Sequence, residues 1–119
     1  MAFVAQIIEQ GPRNCIVKVT GSGTDSGLAF DASTLAGTQF TRVNINQIWP
    51  SIPPTASVIV EWKATADVIA TVLNPGLADH DYQVFGGLLN PKAAGWTGSV
   101  EVTGVGTGDW TVVFWFVKH

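Results

Sequence analysis

The chain has 119 residues, of which 46% are hydrophobic and only 13% are charged, and its net charge is −3. A chain of this length is expected to form one domain, which we place over residues 1–119. Its 6 Lys and Arg are spread thinly among 9 Asp and Glu, so they lack the clustering that binding to nucleic acid requires. The charged share is about half the usual value for a soluble domain, which predicts a surface partly covered by other protein.

Short apolar segments separated by turns rich in Gly and Pro predict eight or nine strands. In chain order these segments cover residues 2–9, 13–20, 28–31, 38–49, 56–63, 68–73, 82–85, 97–103 and 110–119. The intervening segments are predicted to be a flexible loop at 21–27, one helical turn at 31–36, a proline-rich strand end at 50–54, a turn at 64–67, and connections at 74–81, 86–96 and 104–109. Residues 56–73 are expected to form a β-hairpin. The predicted fold is all-β, a single-domain antiparallel β-sandwich or jelly roll of about eight short strands.

The final segment, residues 110–119, is the longest apolar run in the chain. Alternate side chains of an extended strand point to opposite sides, and here both sides are apolar. Such a strand must be covered on both faces, so we expect it either in the centre of a sandwich or with one face turned toward a partner chain. The run is too short for a membrane-spanning helix, and no membrane association is expected.

The start of the chain does not resemble a secretory signal, because no basic segment precedes an apolar core. The protein is therefore expected to act where it is made, or to be carried out as part of something larger. Cys15, the single cysteine, lies in an alternating stretch with Val17 and Val19 and is interpreted as a small buried hydrophobe. The alternatives are a reactive thiol or an intermolecular disulfide.

The sequence offers little chemistry for an active site. Asp79, His80 and Asp81 are the one cluster of potential metal ligands, but neighbouring side chains diverge in an extended loop, which favours a solvated loop. Cys15 and His80 lack the sequence contexts that position a nucleophile beside a base. A glycosidase needs two carboxylates that face each other across a groove, and with nine acidic residues the sequence does not single out any such pair. We therefore expect no enzyme, no cofactor and no metal site.

The five tryptophans are candidates for either the core or a binding surface. Trp62, Trp110 and Trp115 lie at alternating apolar positions of predicted strands, so they are expected in the core. Trp49 and Trp96 lie at loop edges, where packing against a neighbouring subunit and stacking on a sugar ring are both open.

Three stretches resemble a family of small virion-associated proteins of tailed bacteriophages. They are the segment Ile16-Val-Lys-Val-Thr-Gly with the glycine-rich loop after it, Val60-Glu-Trp-Lys-Ala-Thr-Ala-Asp67, and residues 82–98 with Phe85-Gly-Gly-Leu-Leu-Asn-Pro-Lys92 and Gly95-Trp-Thr-Gly98. The similarity spans most of the chain from residue 15 onward. Members of that family usually end in a shorter and more charged segment, whereas this chain ends in the apolar residues 110–117.

The resemblance implies a structural protein of the virion, assembled in the host cytoplasm. The expected role is a capsid decoration or cement protein that acts as a trimer or dimer and binds the major capsid protein or another virion protein. The residues predicted to make these contacts lie on the final strand, in the 86–96 connection and at one loop edge: Trp49, Leu88, Leu89, Trp96, Trp115 and Phe116. The alternatives are a neck or tail component, or a carbohydrate-binding module for host attachment that uses Trp49, Tyr82 and Trp96.

Overall fold

A computed structural model describes residues 3–76 and 79–119 of the chain. Within these ranges the strands are β1 (Val4–Gln10), β2 (Asn14–Ser22), β3 (Ser26–Phe30), β4 (Val43–Ser51), β5 (Ala56–Trp62), β6 (Val68–Leu73), β7 (His80–Asp81), β8 (Val100–Gly106) and β9 (Asp109–Lys118). Two short 3-10 helices span Ala32–Leu35 and Gln83–Phe85. Neither of them, nor any other helical segment in these two ranges, is long and apolar enough to cross a membrane.

The strands form two antiparallel sheets that enclose one hydrophobic core. The first sheet has the strand order β1-β2-β9-β4-β7, and the second has the order β3-β8-β5-β6. The predicted all-β sandwich is thus confirmed. The predicted hairpin is also confirmed, since β5 pairs with β6 across the turn at residues 64–67.

Strand β9 lies in the centre of the first sheet, between β2 and β4. Its inward row is buried without exception and consists of Trp110, Val112, Phe114, Phe116 and Lys118. The ring of Phe116 stacks on Phe114 at 5.2 Å and contacts Phe30 of the opposite sheet at 5.6 Å. Because β9 contributes this row to the middle of the core, its aromatic side chains stabilise the packing of one sheet on the other.

The Trp110 indole lies in a slot between two glycines. A side chain at Gly21 would collide with the indole ring, and one at Gly104 would collide with both the indole and the carbonyl oxygen of Gly23. The indole Nε1 donates a hydrogen bond to that carbonyl oxygen at 3.2 Å. The slot therefore satisfies the one polar atom of a ring that is otherwise packed in the core.

Two predicted boundaries were wrong in ways that have a physical reason. Proline was expected to end the fourth long strand, but Pro50 is part of β4 and lies opposite Val112. On its other side β4 pairs with β7 only at Gln47 and Ile48, so the nitrogen of Pro50 has no ladder partner to lose. The segment 21–27 was expected to be a flexible loop, yet Gly21 and Ser22 belong to β2 and only a tight turn separates them from β3.

Other differences concern the ends of elements. Residues 82–85 were predicted as a strand but form the second 3-10 helix, preceded by the two-residue β7. Residues 97–99 precede β8 rather than belonging to it. The predicted helical turn at 31–36 is confirmed, with the Asp31 side chain accepting a hydrogen bond from the Ser33 amide at 2.9 Å. The predicted strand at 2–9 and the loop at 74–81 each include residues that lie outside the described ranges, namely Ala2, Leu77 and Ala78.

Candidate functional site

An apolar patch covers the outer face of the first sheet around β9. We call it the outer patch and define it as Ile16, Trp49, Val113, Trp115 and Val117, all of which remain partly exposed. Strand pairing places Ile16 opposite Trp115 and Trp49 opposite Val113, so the side chains form a continuous surface across three strands. The outer face of β9 is thus apolar and only partly covered by the chain's own residues.

Trp115 is held in place at the centre of the outer patch. Its indole Nε1 donates a hydrogen bond to Oδ1 of Asn14 at 3.0 Å. The ring therefore has its polar atom satisfied while its apolar surface stays on the outside of the sheet, the arrangement typical of an interface tryptophan.

The structure separates the predicted tryptophans into core and surface. Trp62 and Trp110 are buried, as expected. Trp115 was also predicted in the core from its strand position, but that prediction is wrong. Its side chain points to the outer face of the first sheet and remains partly exposed. Trp49 also lies on that face, whereas Trp96 lies elsewhere, beside the Lys92 ammonium at 5.8 Å.

The remaining predicted contact residues differ in how far they are buried. Phe116 is fully buried between the sheets, so its prediction as an interface residue is wrong: it occupies the inward row of β9, where no partner can reach it. Leu88 packs against the core and exchanges backbone hydrogen bonds of 2.8 and 3.0 Å with Ile45. Leu89 is 61% exposed and stays available at the surface.

Cys15 is buried, as the sequence predicts, with only 2% of its surface exposed. Burial raises the pKa of its thiol, an effect that the nearby Lys118 ammonium partly offsets. A thiol with a raised pKa carries little thiolate, so the geometry favours a packing role for this residue.

The side chains of His80 and Asp81, which belong to the cluster of potential metal ligands, make hydrogen-bonding contacts with residues two positions further along the chain. Asp81 accepts a hydrogen bond from the Gln83 amide at 2.9 Å, and Nδ1 of His80 lies 3.2 Å from the Tyr82 hydroxyl. These contacts orient the two side chains toward their own turn.

A carboxylate cluster that sequence reasoning missed lies on the outer face of the second sheet. Glu61 of β5 pairs directly with Glu101 of β8, and Asp67 reaches them from the turn before β6, so that three carboxylate oxygens lie within 4.8 Å of one another. Lys63 bonds to Asp67 at 3.1 Å and lies 3.5 Å from Glu101. The three carboxylates could hold a cation, but the Lys63 ammonium already supplies positive charge there. Only the strand register brings these residues together, and the sequence gives no local signal for it.

The cluster makes a prediction about pH. Burial, then Asp67, then Glu101 raise the pKa of Glu61, so its ionised form is disfavoured in the folded state. A carboxyl group whose pKa is raised by folding lowers the free energy of unfolding at pH values above that pKa. Well below the ordinary pKa of glutamate it has no such effect, because the group is protonated in both the folded and the unfolded chain. Glu61→Gln is therefore expected to stabilise the protein at pH 7, with the gain disappearing as the pH falls toward 4. Urea denaturation across this range measures it.

The control for this prediction is Glu9→Gln, which removes one negative charge from the exposed strand β1. It should leave the pH profile of stability close to that of the unmodified protein. A Glu61→Gln variant that is no more stable at pH 7 than at pH 4, relative to the parent, would contradict the repulsion described here.

Two concave sites in the described part of the chain differ in character. The first is an apolar cavity of about 140 Å³ between β1 and β3, next to Cys15. The second, which we call the cationic pocket, is an open depression of about 420 Å³ where β9 ends. Its lining residues combine charged and amide side chains: Arg13, Asn14, Asn46, Gln83, Gly86, Val117 and His119.

No protein-family model matches this sequence, and no curated protein or solved structure is significantly similar to it. The class of the protein is therefore defined by its own fold and surface. It is an all-β sandwich whose central strand is apolar on both faces, with the outer patch on one side of the first sheet and the cationic pocket at the end of that sheet.

Proposed function

We propose that this protein is a structural component of a bacteriophage virion, acting as a capsid decoration or cement protein. The observation that carries the proposal is the outer patch, an apolar surface centred on two tryptophans in a chain with few charges. The resemblance of three sequence stretches to virion-associated proteins supports the same role. In this role the outer patch is buried against the major capsid protein or another virion protein.

The mechanism is burial of apolar surface at many equivalent positions. Removing apolar side chains from water is favourable by about 25 cal/mol per Å². Partly exposed Trp and Val side chains already fixed by a sheet lose little further entropy when a partner covers them. A modest contact in each subunit then becomes effective through the many copies bound to one particle.

Strand β1 supports self-association within the same proposal. All seven residues from Val4 to Gln10 are exposed, and β1 forms one edge of the first sheet. The strand contains no proline, and its protections as a free edge are limited to one charged residue, Glu9, and an irregularity in its pairing with β2 between Ile7 and Glu9. Antiparallel pairing of this edge with a second copy would extend the sheet and build a dimer, the simplest of the oligomers expected for a decoration protein.

The carbohydrate-binding alternative requires aromatic rings on one surface. Trp49 lies on the outer face of the first sheet. Trp96 precedes Thr97, whose amide donates to the Lys63 carbonyl oxygen beside β5 of the second sheet. Because these two rings are associated with different sheets, a stacking platform built from both is not favoured. Tyr82, the third ring of this alternative, donates its amide to Asn46 of β4, in the same sheet as Trp49.

The virion role predicts that Trp115→Ser abolishes most binding to capsids. We expect the unmodified protein to co-sediment with empty capsids of its phage and the variant to lose at least about tenfold in affinity, because interface tryptophans commonly contribute 2 kcal/mol or more. The matched control is Ile69→Ser, which removes an apolar side chain that is 58% exposed at the edge of the second sheet, away from the outer patch.

Two outcomes would contradict the proposal. If Trp115→Ser binds capsids as tightly as Ile69→Ser does, the outer patch is not the contact surface. If the unmodified protein ignores capsids and instead associates with isolated necks or tails, the decoration role is wrong and a neck or tail role replaces it.

A further inference from the structure

The cationic pocket is a second candidate site, distinct from the residues of the outer patch that the capsid experiment alters. It lies where the end of β9 meets the turn between β1 and β2 and the 3-10 helix Gln83–Phe85. Its volume of about 420 Å³ is within the range of about 300–1,000 Å³ that is usual for small-molecule sites.

The pocket concentrates positive charge in a chain whose net charge is −3. Both arginines of the sequence approach His119: Arg13 lines the pocket with it, and Arg42 exchanges backbone hydrogen bonds of 2.8 and 3.1 Å with it. Among the residues with described positions, ion pairs join Lys63 to Asp67 and Glu101, and none involves Arg13 or Arg42. No Asp or Glu among these residues therefore pairs with the two guanidinium groups.

The pKa of His119 is lowered, in part by the positive charge of the two arginines. Burial lowers it first, and the positive charges of Arg13 and then Arg42 lower it further. Lys118, the neighbouring cation on β9, directs its ammonium away to the Gly11 carbonyl oxygen at 3.2 Å. An anion in the pocket would offset this repulsion and raise the pKa of His119.

Arg13 is held in position by the fold. Its guanidinium lies over the ring of Phe40, 6.0 Å from the ring centroid, and donates a hydrogen bond to the Lys118 carbonyl oxygen at 3.4 Å. A guanidinium fixed in this way presents its remaining N–H groups with little further loss of entropy, which suits it to a carboxylate.

The amide side chains of the pocket point to a ligand with hydroxyl groups as well. Asn14 uses its Oδ1 to hold Trp115, which leaves its NH₂ group as a donor. Gln83 donates from Nε2 to Gln47 at 3.3 Å, which leaves its Oε1 as an acceptor. A bare carboxylate offers no hydrogen to such an acceptor, whereas a hydroxyl group can both donate and accept.

We propose that the cationic pocket binds a hydroxylated carboxylate of the kind carried by an acidic sugar such as a hexuronate. The carboxylate pairs with Arg13, the Arg42 guanidinium adds positive charge nearby, and the hydroxyl groups bond to the side-chain amides of Asn14, Asn46 and Gln83. The ligand is either a free sugar acid or a uronate residue of a polysaccharide, which share this chemistry.

Titration of the full chain with three small probes tests the proposal. Glucuronate carries both the charge and the hydroxyl groups, acetate carries only the charge, and glucose carries only the hydroxyl groups. We expect glucuronate to bind, to perturb the His119 ring signals in NMR spectra and to raise the pKa of His119, while acetate and glucose bind at least about tenfold more weakly. A uronate oligosaccharide that binds more tightly than glucuronate would identify a polysaccharide as the source, and equal affinity would identify the free sugar acid.

Variants of the pocket complete the test. Arg13→Gln should weaken glucuronate binding about tenfold or more, and Arg42→Gln, which removes a charge beside the pocket rather than a lining side chain, should weaken it less. Lys92→Gln removes the same charge from an exposed position outside the pocket and should bind like the unmodified protein. Thermal unfolding shows whether a variant is folded, and His119→Gln replaces Arg13→Gln if the loss of the Phe40 contact unfolds the chain. The proposal is overturned if glucuronate binds no better than acetate, or if the pocket variants bind it as well as Lys92→Gln does.

Discussion

Phe114→Ala is expected to lower the free energy of unfolding by about 3–5 kcal/mol, the usual cost of removing a buried phenylalanine. Phe114 is fully buried, pairs with Val17 and Ile48 across the two neighbouring strands, and stacks on Phe116. The loss would be a large fraction of the 5–15 kcal/mol that stabilises a typical domain. Chemical denaturation monitored by tryptophan fluorescence measures it.

A matched pair on the same strand is the control for this prediction. Val112 is fully buried on the inward row of β9, whereas Val113 belongs to the outer patch. Val112→Ala should cost about 1.5–3 kcal/mol and Val113→Ala well under 1 kcal/mol, because only the first change leaves a cavity. Equal effects of the two valine substitutions would mean that the assignment of inner and outer faces is wrong.

Gly104→Ala should also destabilise the fold strongly, by about 1–3 kcal/mol or more. The added methyl group would collide with the carbonyl oxygen of Gly23 and lie 2.6 Å from Nε1 of Trp110. Neither neighbour can retreat easily, since one is backbone and the other is a buried ring that is bonded to that same carbonyl oxygen. Denaturant unfolding and the near-UV circular dichroism of Trp110 report the change.

Gly11→Ala is the comparison for this substitution. A methyl group at Gly11 would have the Asn14 carbonyl oxygen as its nearest neighbour atom, at an ordinary distance of 3.9 Å. The variant should therefore be about as stable as the parent or slightly more so. A Gly104→Ala protein with the stability of Gly11→Ala would show that the Trp110 slot is looser than the structure indicates.

The outer patch and the cationic pocket meet at Val117, which belongs to both. They differ in chemistry: one is an apolar surface suited to another protein, and the other combines positive charge with amide groups. The arginine variants leave the outer patch intact, because Arg13 and Arg42 are not part of it, whereas Trp115→Ser also releases the side chain of Asn14, which lines the pocket. The sugar-acid test therefore uses the arginine variants and not Trp115→Ser. Failure of the capsid prediction and failure of the sugar-acid prediction can therefore be told apart.

Much of the fold follows from the amino-acid sequence alone. Alternation of apolar residues with a period of two identifies the hairpin of β5 and β6, because extended side chains point alternately to opposite sides. The burial of Cys15 follows from the same alternation. The prediction for Gly21 was wrong, because a small residue in a polar segment suggests a flexible loop. In the structure the missing side chain makes room for the Trp110 ring, a contact between residues 89 positions apart in the chain.

The tertiary structure was needed wherever the answer depends on which strands are neighbours. Both faces of β9 are apolar, so the sequence could not show that Phe116 points inward and Trp115 outward; the packing of the second sheet against only one face makes that choice. The carboxylates of Glu61 and Glu101 meet because β5 pairs with β8, and Arg13 and Arg42 meet at His119 because β9 runs between β2 and β4. Alternation is a local property that a sequence displays directly, whereas strand order and register depend on contacts between distant segments.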